Sequence, residues 1–235
     1  MTNEKSCMTI SGNVYNSNMK LESTGILIGL QPINERDSVG HIFTRAFGML
    51  HGVMRGAVVA RKNKPLVAQV GAVSWNARLD SQLGAFHWES TENLSAPLMN
   101  NMRALACMNA AFALLDTLLP EREPYMNLYD STIALLRELG GDDSMEKYQN
   151  WEMGLLGELG YALDLSRCSG CGCTNNLNYL SPKTGRAVCD DCADPYINKL
   201  YKLPINLDTT LRFISGVCTQ QGATVPPARL YLSRM

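Results

Sequence analysis

The 235-residue chain lacks the short motifs that most often identify an enzyme. It has no G-x-x-x-x-G-K-[ST] loop, no G-x-S-x-G elbow and no H-E-x-x-H pair, so the common nucleotide-hydrolase, α/β-hydrolase and zincin readings have nothing to rest on. Histidine is scarce. His41, His51 and His87 are the three present, no Cys, His or carboxylate spacing ties them together, and each reads as a barrel-surface or satisfied core residue. No apolar run approaches the ~20 residues that a membrane span needs. Residues 1–20 show neither a charged leader before an apolar run nor an Arg-rich texture, so a soluble cytoplasmic protein is expected. Repeats and low-complexity stretches are missing as well, and the acidic groups at helix breaks read as solvated caps. Nothing here requires an enzyme.

A surplus of one charge is also missing, since the formal net charge is −1. That sum hides a division. Residues 1–90 hold nine Lys/Arg against six Asp/Glu, residues 91–165 four against twelve, and residues 166–235 eight against four. Two basic parts flank an acidic one, which permits polyanion binding at the ends and a basic partner in the middle.

What is present changes texture along the chain. Residues 1–20 are polar and expected to be a flexible extension. From Glu22, five runs rich in Val, Ile, Phe and Trp (STGILIGLQP, DSVGHIFTRAF, GMLHGVMRGAVV, VAQVGAVSWNARL, QLGAFHWES) follow one another with no room for crossover helices. This predicts a small closed β-barrel over 21–92, of the size of an OB-fold. Residues 93–235 read as helical. Ser95 with Pro97 starts a helix running through LMNNMRALACMNAAFALLDTLL; PEREP ends it; a second helix covers YMNLYDSTIALLREL; Ser144 caps a third that closes at Gly160. Asp194 with Pro195 opens a short helix, DTTLRFISGVCTQQ forms another, and ATVPPARLYLSRM ends the chain loosely. The fold class is therefore α+β.

The eight cysteines are the strongest local signal. Cys168 and Cys171 form one C-x-x-C pair and Cys189 and Cys192 another, 17 residues apart, with a hairpin-like LNYLSPKTGRAV between them. Two such knuckles brought together supply four thiolates at about 2.3 Å from a tetrahedral Zn²⁺, so a structural zinc ribbon at about 166–194 is predicted. With four thiolates no place is left for an activated water, and the metal organises the fold without catalysing. A thioredoxin-like redox pair would need a βαβ setting that is missing. Cys173 is an alternative ligand to Cys171. Cys7, Cys107 and Cys218 read as a tail residue and two packing residues.

At this point the residues carry a resemblance. LLGELGYALDLSRC and LNYLSPKTGRAVC, with LLPEREPYMNLYDSTIALL and NARLDSQLGAF before them, resemble the RecO family of DNA repair and recombination mediators in its alphaproteobacterial form. The similarity runs from about Glu22 to Pro204 and is most specific over 151–188. The 20-residue N-terminal extension has no counterpart in the family. The resemblance implies an N-terminal OB-fold, a helical domain carrying a zinc element, and a non-catalytic role. Such a protein would bind single- and double-stranded DNA, anneal complementary strands and, with RecR, help load RecA onto strands coated by single-strand-binding protein, whose tail docks on the helical domain. A cytoplasmic, nucleoid-associated location follows.

Phosphate neutralisation assigns that work to basic residues. In the barrel the candidates are Arg36, Arg45, Arg55, Arg61, Lys62, Lys64 and Arg78; beside the ribbon, Lys183 and Arg186, with Arg167 near them. Trp75, Phe86 and Trp88 either stack on bases or fill the barrel core. The modest basic surplus of the barrel predicts modest, salt-sensitive affinity. Two other readings stand beside this one. One is a zinc-ribbon adaptor binding only protein through its acidic helices. The other is a metalloenzyme, which the four-thiolate count disfavours.

Overall fold

Residues 19–78 and 83–235 are described by a computed structural model; the expectations for residues 1–18, Cys7 among them, lie outside it. Five strands, β1 (Met19–Pro32), β2 (Ser38–Thr44), β3 (Gly48–Met54), β4 (Gln69–Ala77) and β5 (Gly84–Asn93), close into a barrel in the order β1-β2-β3-β5-β4. All neighbours are antiparallel except β3 and β5, which meet in parallel through two residue pairs, Gly52 with Gly84 and Val53 with Ala85. That order and closure are those of the OB-fold. Met19 and Lys20 belong to β1, so the strand starts inside what the sequence suggested was extension. A register slip between Leu27 and Gly29 bends β1, letting residues 19–26 pair with β4 and 25–32 with β2.

Burial explains why the central strands are apolar on both faces. Leu27, Ile42, Met54 and Val73 fill the barrel, with Leu50 and Trp75 in an adjoining cluster. Ile26, Ile28, Phe43 and Met49 point outward into a second cluster shared with the helices. One face of the barrel is thus welded to the helical body. The β2–β3 turn makes the weld close: Gly48 has φ +66°, and a Cβ there would overlap the Glu123 carbonyl oxygen.

The helices are α1 (Met102–Leu118), α2 (Met126–Glu138), α3 (Ser144–Glu158), α4 (Asp190–Ala193), α5 (Leu207–Gln220) and α6 (Pro227–Leu232). Several termini differ from expectation, each for a local reason. Ser95 opens only a 3₁₀ turn, Ala96–Leu98, because its hydroxyl is held by Asn93 Oδ1 at 2.8 Å; Asn101 caps α1 instead, accepting from the Ala104 N–H at 3.1 Å. Ser144 is the first residue of α3, and its hydroxyl donates back to the carbonyls of Leu139 (2.7 Å) and Gly141 (2.6 Å). Asp194 lies within the first turn of the 3₁₀ helix Asp194–Lys199 and makes no side-chain cap.

The largest correction concerns the C-terminus. The end of the chain is locked down, because Arg229 on α6 is wholly buried against the equally buried Glu152 of α3. Its guanidinium also donates to Leu207 O (2.7 Å), Thr210 Oγ1 (3.2 Å) and Ser233 Oγ (2.6 Å), while Tyr148 Oη donates to Glu152 at 3.0 Å. Every charge in this buried set is paired, which is the condition for tolerating charge in a core. Pro226 and Pro227 suggest a loose end, and nothing near Arg229 in the sequence announces its partner Glu152.

Candidate metal centre and nucleic-acid face

The expected hairpin is present: β6 (Tyr179–Leu180) pairs antiparallel with β7 (Ala187–Val188), and the chain turns at Gly185 with φ +63°. A third strand that sequence reading missed, β8 (Tyr201–Lys202), pairs with the other edge of β6. The hairpin brings the sulfurs of Cys168, Cys171, Cys189 and Cys192 together, all within 4.8 Å of one another. Cys173 lies outside this group and its thiol meets Asn175 O at 3.5 Å.

The chemistry of the cluster suits a soft divalent ion. Backbone N–H groups of Gly170 (3.3 Å) and Cys189 (3.4 Å) donate to Cys168 Sγ. Such bonds, that from Cys189 foremost, bring its thiol down to about 6. Cys192, facing Cys171 first and then Cys189, is pushed up to about 12. Cys171 is lowered as well, foremost by the Cys173 backbone N–H, but four thiolates side by side need a cation among them to balance the charge. Space is matched to this use. Gly170 packs so closely that a Cβ would stand 2.9 Å from Cys192 Sγ. Four cysteines so placed are able to bind a metal, and the residues around them fit zinc.

The basic candidates separate into groups. Around Asp37, Val58 N donates to Arg36 O at 3.0 Å and Gly56 N donates to Asp37 Oδ1 at 2.8 Å; that bond to the carboxylate first, then one from Asn34, with the more distant charges of Arg36 and Arg55 adding least, holds the Asp37 carboxyl below the usual range. Arg61, Lys62 and Lys64 are exposed on the connection from β3 to β4. Arg78 is exposed at the exit of β4. Arg45 is committed elsewhere, as a bidentate pair to Asp130 of α2 (2.9 and 3.0 Å) that ties barrel to helices. At the ribbon, Lys183 is exposed at the hairpin turn, whereas Arg186 reaches Asp164 at 3.4 Å.

The aromatic candidates also divide. Trp75 is core, with its indole N–H donated to His51 O at 2.8 Å. Phe86 and Trp88 line a cavity of about 190 Å³ together with Met54, Arg55, Asn63 and His87. The indole N–H of Trp88 is buried and has no hydrogen-bond partner among the described residues. A buried donor without a protein partner is costly unless water or a ligand supplies an acceptor.

The expectation that nothing ties the histidines together fails for two of them. His41 and His51 are direct cross-strand partners on β2 and β3, and their rings stand edge to face with centroids 4.3 Å apart. Both meet Asp116, near the end of α1, and His51 also meets Glu121. Hydrogen bonding to Asp116 foremost raises the His51 pKa. Burial opposes the charge on Asp116, but bonds from both histidines outweigh it and hold the carboxyl far below its usual range. His87 is exposed and pairs with Glu89 at 3.2 Å. Cys107 and Cys218 are buried packing residues as expected.

A closed OB barrel, welded along one face to a helical body that carries a four-cysteine knuckle, defines the class to which this molecule belongs. The profile of the family described as "Recombination protein O C terminal" matches residues 99–219. The chain is 40% identical to the DNA repair protein RecO of Dinoroseobacter shibae, over 77% of this chain and 76% of that protein. It is 38% identical to that of Jannaschia sp. (83% and 80%) and 36% identical to that of Rhodospirillum centenum (79% and 76%). The chain belongs to the RecO family of DNA repair proteins.

Proposed function

We propose that this protein binds single- and double-stranded DNA through its barrel, anneals complementary strands, and acts with RecR to help load RecA onto strands coated by single-strand-binding protein, making and breaking no covalent bond. The observation that carries the DNA reading is the Trp88 cavity: a buried, unpaired indole donor with Phe86 beside it, opening next to Arg55 and the cationic segment 61–64. Aromatic faces that stack bases, an unsatisfied donor that a base carbonyl would fill, and cations that track phosphate are the components of a sequence-tolerant single-strand site. Arg36, Arg55, Arg61, Lys62, Lys64, Arg78 and Lys183 are the phosphate contacts in this proposal; Arg45 and Arg186 contribute less, since each already faces a carboxylate.

The ribbon holds zinc through Cys168, Cys171, Cys189 and Cys192, and its part is to fold residues 166–194, because four thiolates leave no open coordination position. Three acidic groups of the helices are held internally, Asp130 by Arg45, Asp116 by His41 and His51, and Glu152 by Arg229; the others are what an adaptor would present to a basic partner.

The test is annealing of two complementary oligonucleotides across a salt series, with and without the protein. Acceleration that fades as salt rises is expected. No acceleration at any salt would leave a protein-only adaptor as the better account.

A further inference from the structure

The His41–His51–Asp116 cluster is not used by the function proposed above. Its parts come from three elements. The β2–β3 register sets the two imidazoles side by side on the outer face of the barrel, and Asp116 reaches them from the last turn of α1. Asp116 Oδ1 lies 2.7 Å from His41 Nδ1 and 3.3 Å from His51 Nε2, so one carboxylate oxygen is faced by two ring nitrogens. The three ligand atoms all lie within 4.8 Å of one another. Donors bound at 2.0–2.1 Å to a tetrahedral ion stand about 3.3 Å apart, so His51 and Asp116 already have that separation and His41, at 2.7 Å, has to withdraw by about 0.6 Å.

Two further features fit a cation. The other nitrogen of His51 is engaged by the Glu121 carboxylate, the outer carboxylate–histidine arrangement that fixes a metal-binding ring and makes it a better donor. Asp116 also sits at the wrong end of a helix. The last turn of α1 has no basic residue, and a carboxylate beside the helix C-terminus is repelled by the macrodipole unless positive charge is placed against it. The cluster is open on one side: His41 and His51 are 21% and 23% exposed and Asp116 37%, leaving water access to the remaining coordination positions.

We propose that His41 Nδ1, His51 Nε2 and the Asp116 carboxylate bind a second metal ion, a first-row divalent cation of the zinc type, at the seam between barrel and helices. Nitrogen and oxygen donors in this number suit zinc and its neighbours in the series better than calcium or magnesium. Two ligands belong to the barrel and one to α1, so the ion latches the two together, independently of the cysteine ribbon.

The experiment is equilibrium dialysis of the full chain against micromolar zinc, with metal counted per chain, followed by cobalt substitution. Wild type should hold one equivalent more than the His41→Ala/His51→Ala variant. That variant should keep the intense sulfur-to-cobalt absorption of the ribbon, which also reports that it is folded. Cys189→Ser should lose that absorption and retain the weaker bands of a nitrogen and oxygen site. His87→Ala should match wild type. Equal metal content in wild type and the double histidine variant would overturn the proposal and leave the cluster a set of hydrogen-bonded ion pairs.

Discussion

The ribbon and the C-terminal lock hold the chain by opposite means. Around the four cysteines the apolar core is slight: Val188, Ala193 and the sulfurs themselves form it, the strands are two residues long, and Cys171 is exposed. Around Glu152 and Arg229 the core is the largest in the molecule, joining α1, α2, α3, α5 and α6. Where apolar surface is scarce, four cysteines able to bind a metal stand in its place, and in the function proposed above their ligand bonds replace burial as the source of order. Where it is plentiful, the fold tolerates a buried ion pair that holds α6 against α3. The same comparison separates what a chelator can undo from what only mutation can.

The sharpest way to break the contrast is at Arg229. Arg229→Ala leaves Glu152 buried without a counter-charge and should cost about 3–5 kcal/mol, lowering Tm by roughly 10 °C. Replacing both partners, as Glu152→Leu with Arg229→Met, should recover most of that loss. A single variant that melts with wild type would show that the pair is not confined as described. Next in size, Cys189→Ser or chelation should release the ribbon metal and abolish protection of the ribbon amides from hydrogen exchange. The main thermal transition, set by the helical core, should stay in place; a drop comparable to that of Arg229→Ala would mean the ribbon is part of that core. Gly170→Ala sharpens the comparison with a smaller change, since its Cβ crowds Cys192 Sγ: metal affinity should fall while the apo protein melts as before. Smallest for stability is Arg61→Ala with Lys62→Ala and Lys64→Ala. It should leave both regions untouched, yet weaken DNA binding and flatten its salt slope by up to about three. Unchanged affinity would move the DNA surface away from this segment.

Legibility in sequence followed the same division. The ribbon was readable because its ligands lie within 25 residues, from Cys168 to Cys192, at spacings that geometry alone explains. The barrel was readable from five β-branched and aromatic runs too close together for helices. Helix starts were less so: Ser95, Ser144 and Asp194 each have the right residue type, but Asn93 takes the Ser95 hydroxyl, the carbonyls of Leu139 and Gly141 take that of Ser144, and Asp194 makes no side-chain cap. What depends on tertiary meeting left no local trace. Asp116 reaches His41 across 75 residues and Glu152 reaches Arg229 across 77, and no spacing rule spans such distances. Arg45 illustrates the same limit, since nothing near it in sequence announces Asp130 as its partner.

The barrel's closure carries a mechanical consequence. Every other strand pair in it is a long ladder, but β3 and β5 share only two residue pairs, at Gly52–Gly84 and Val53–Ala85, with glycine on both sides of the first. A ring with one short link has a preferred line of parting. Opening between β3 and β5, with β5 still paired to β4, is therefore the expected first excursion of the barrel, and hydrogen exchange should be fastest along that line. Phe86 and Trp88 ride on β5, so such an excursion would widen the cavity they line and leave the face packed on the helices in place.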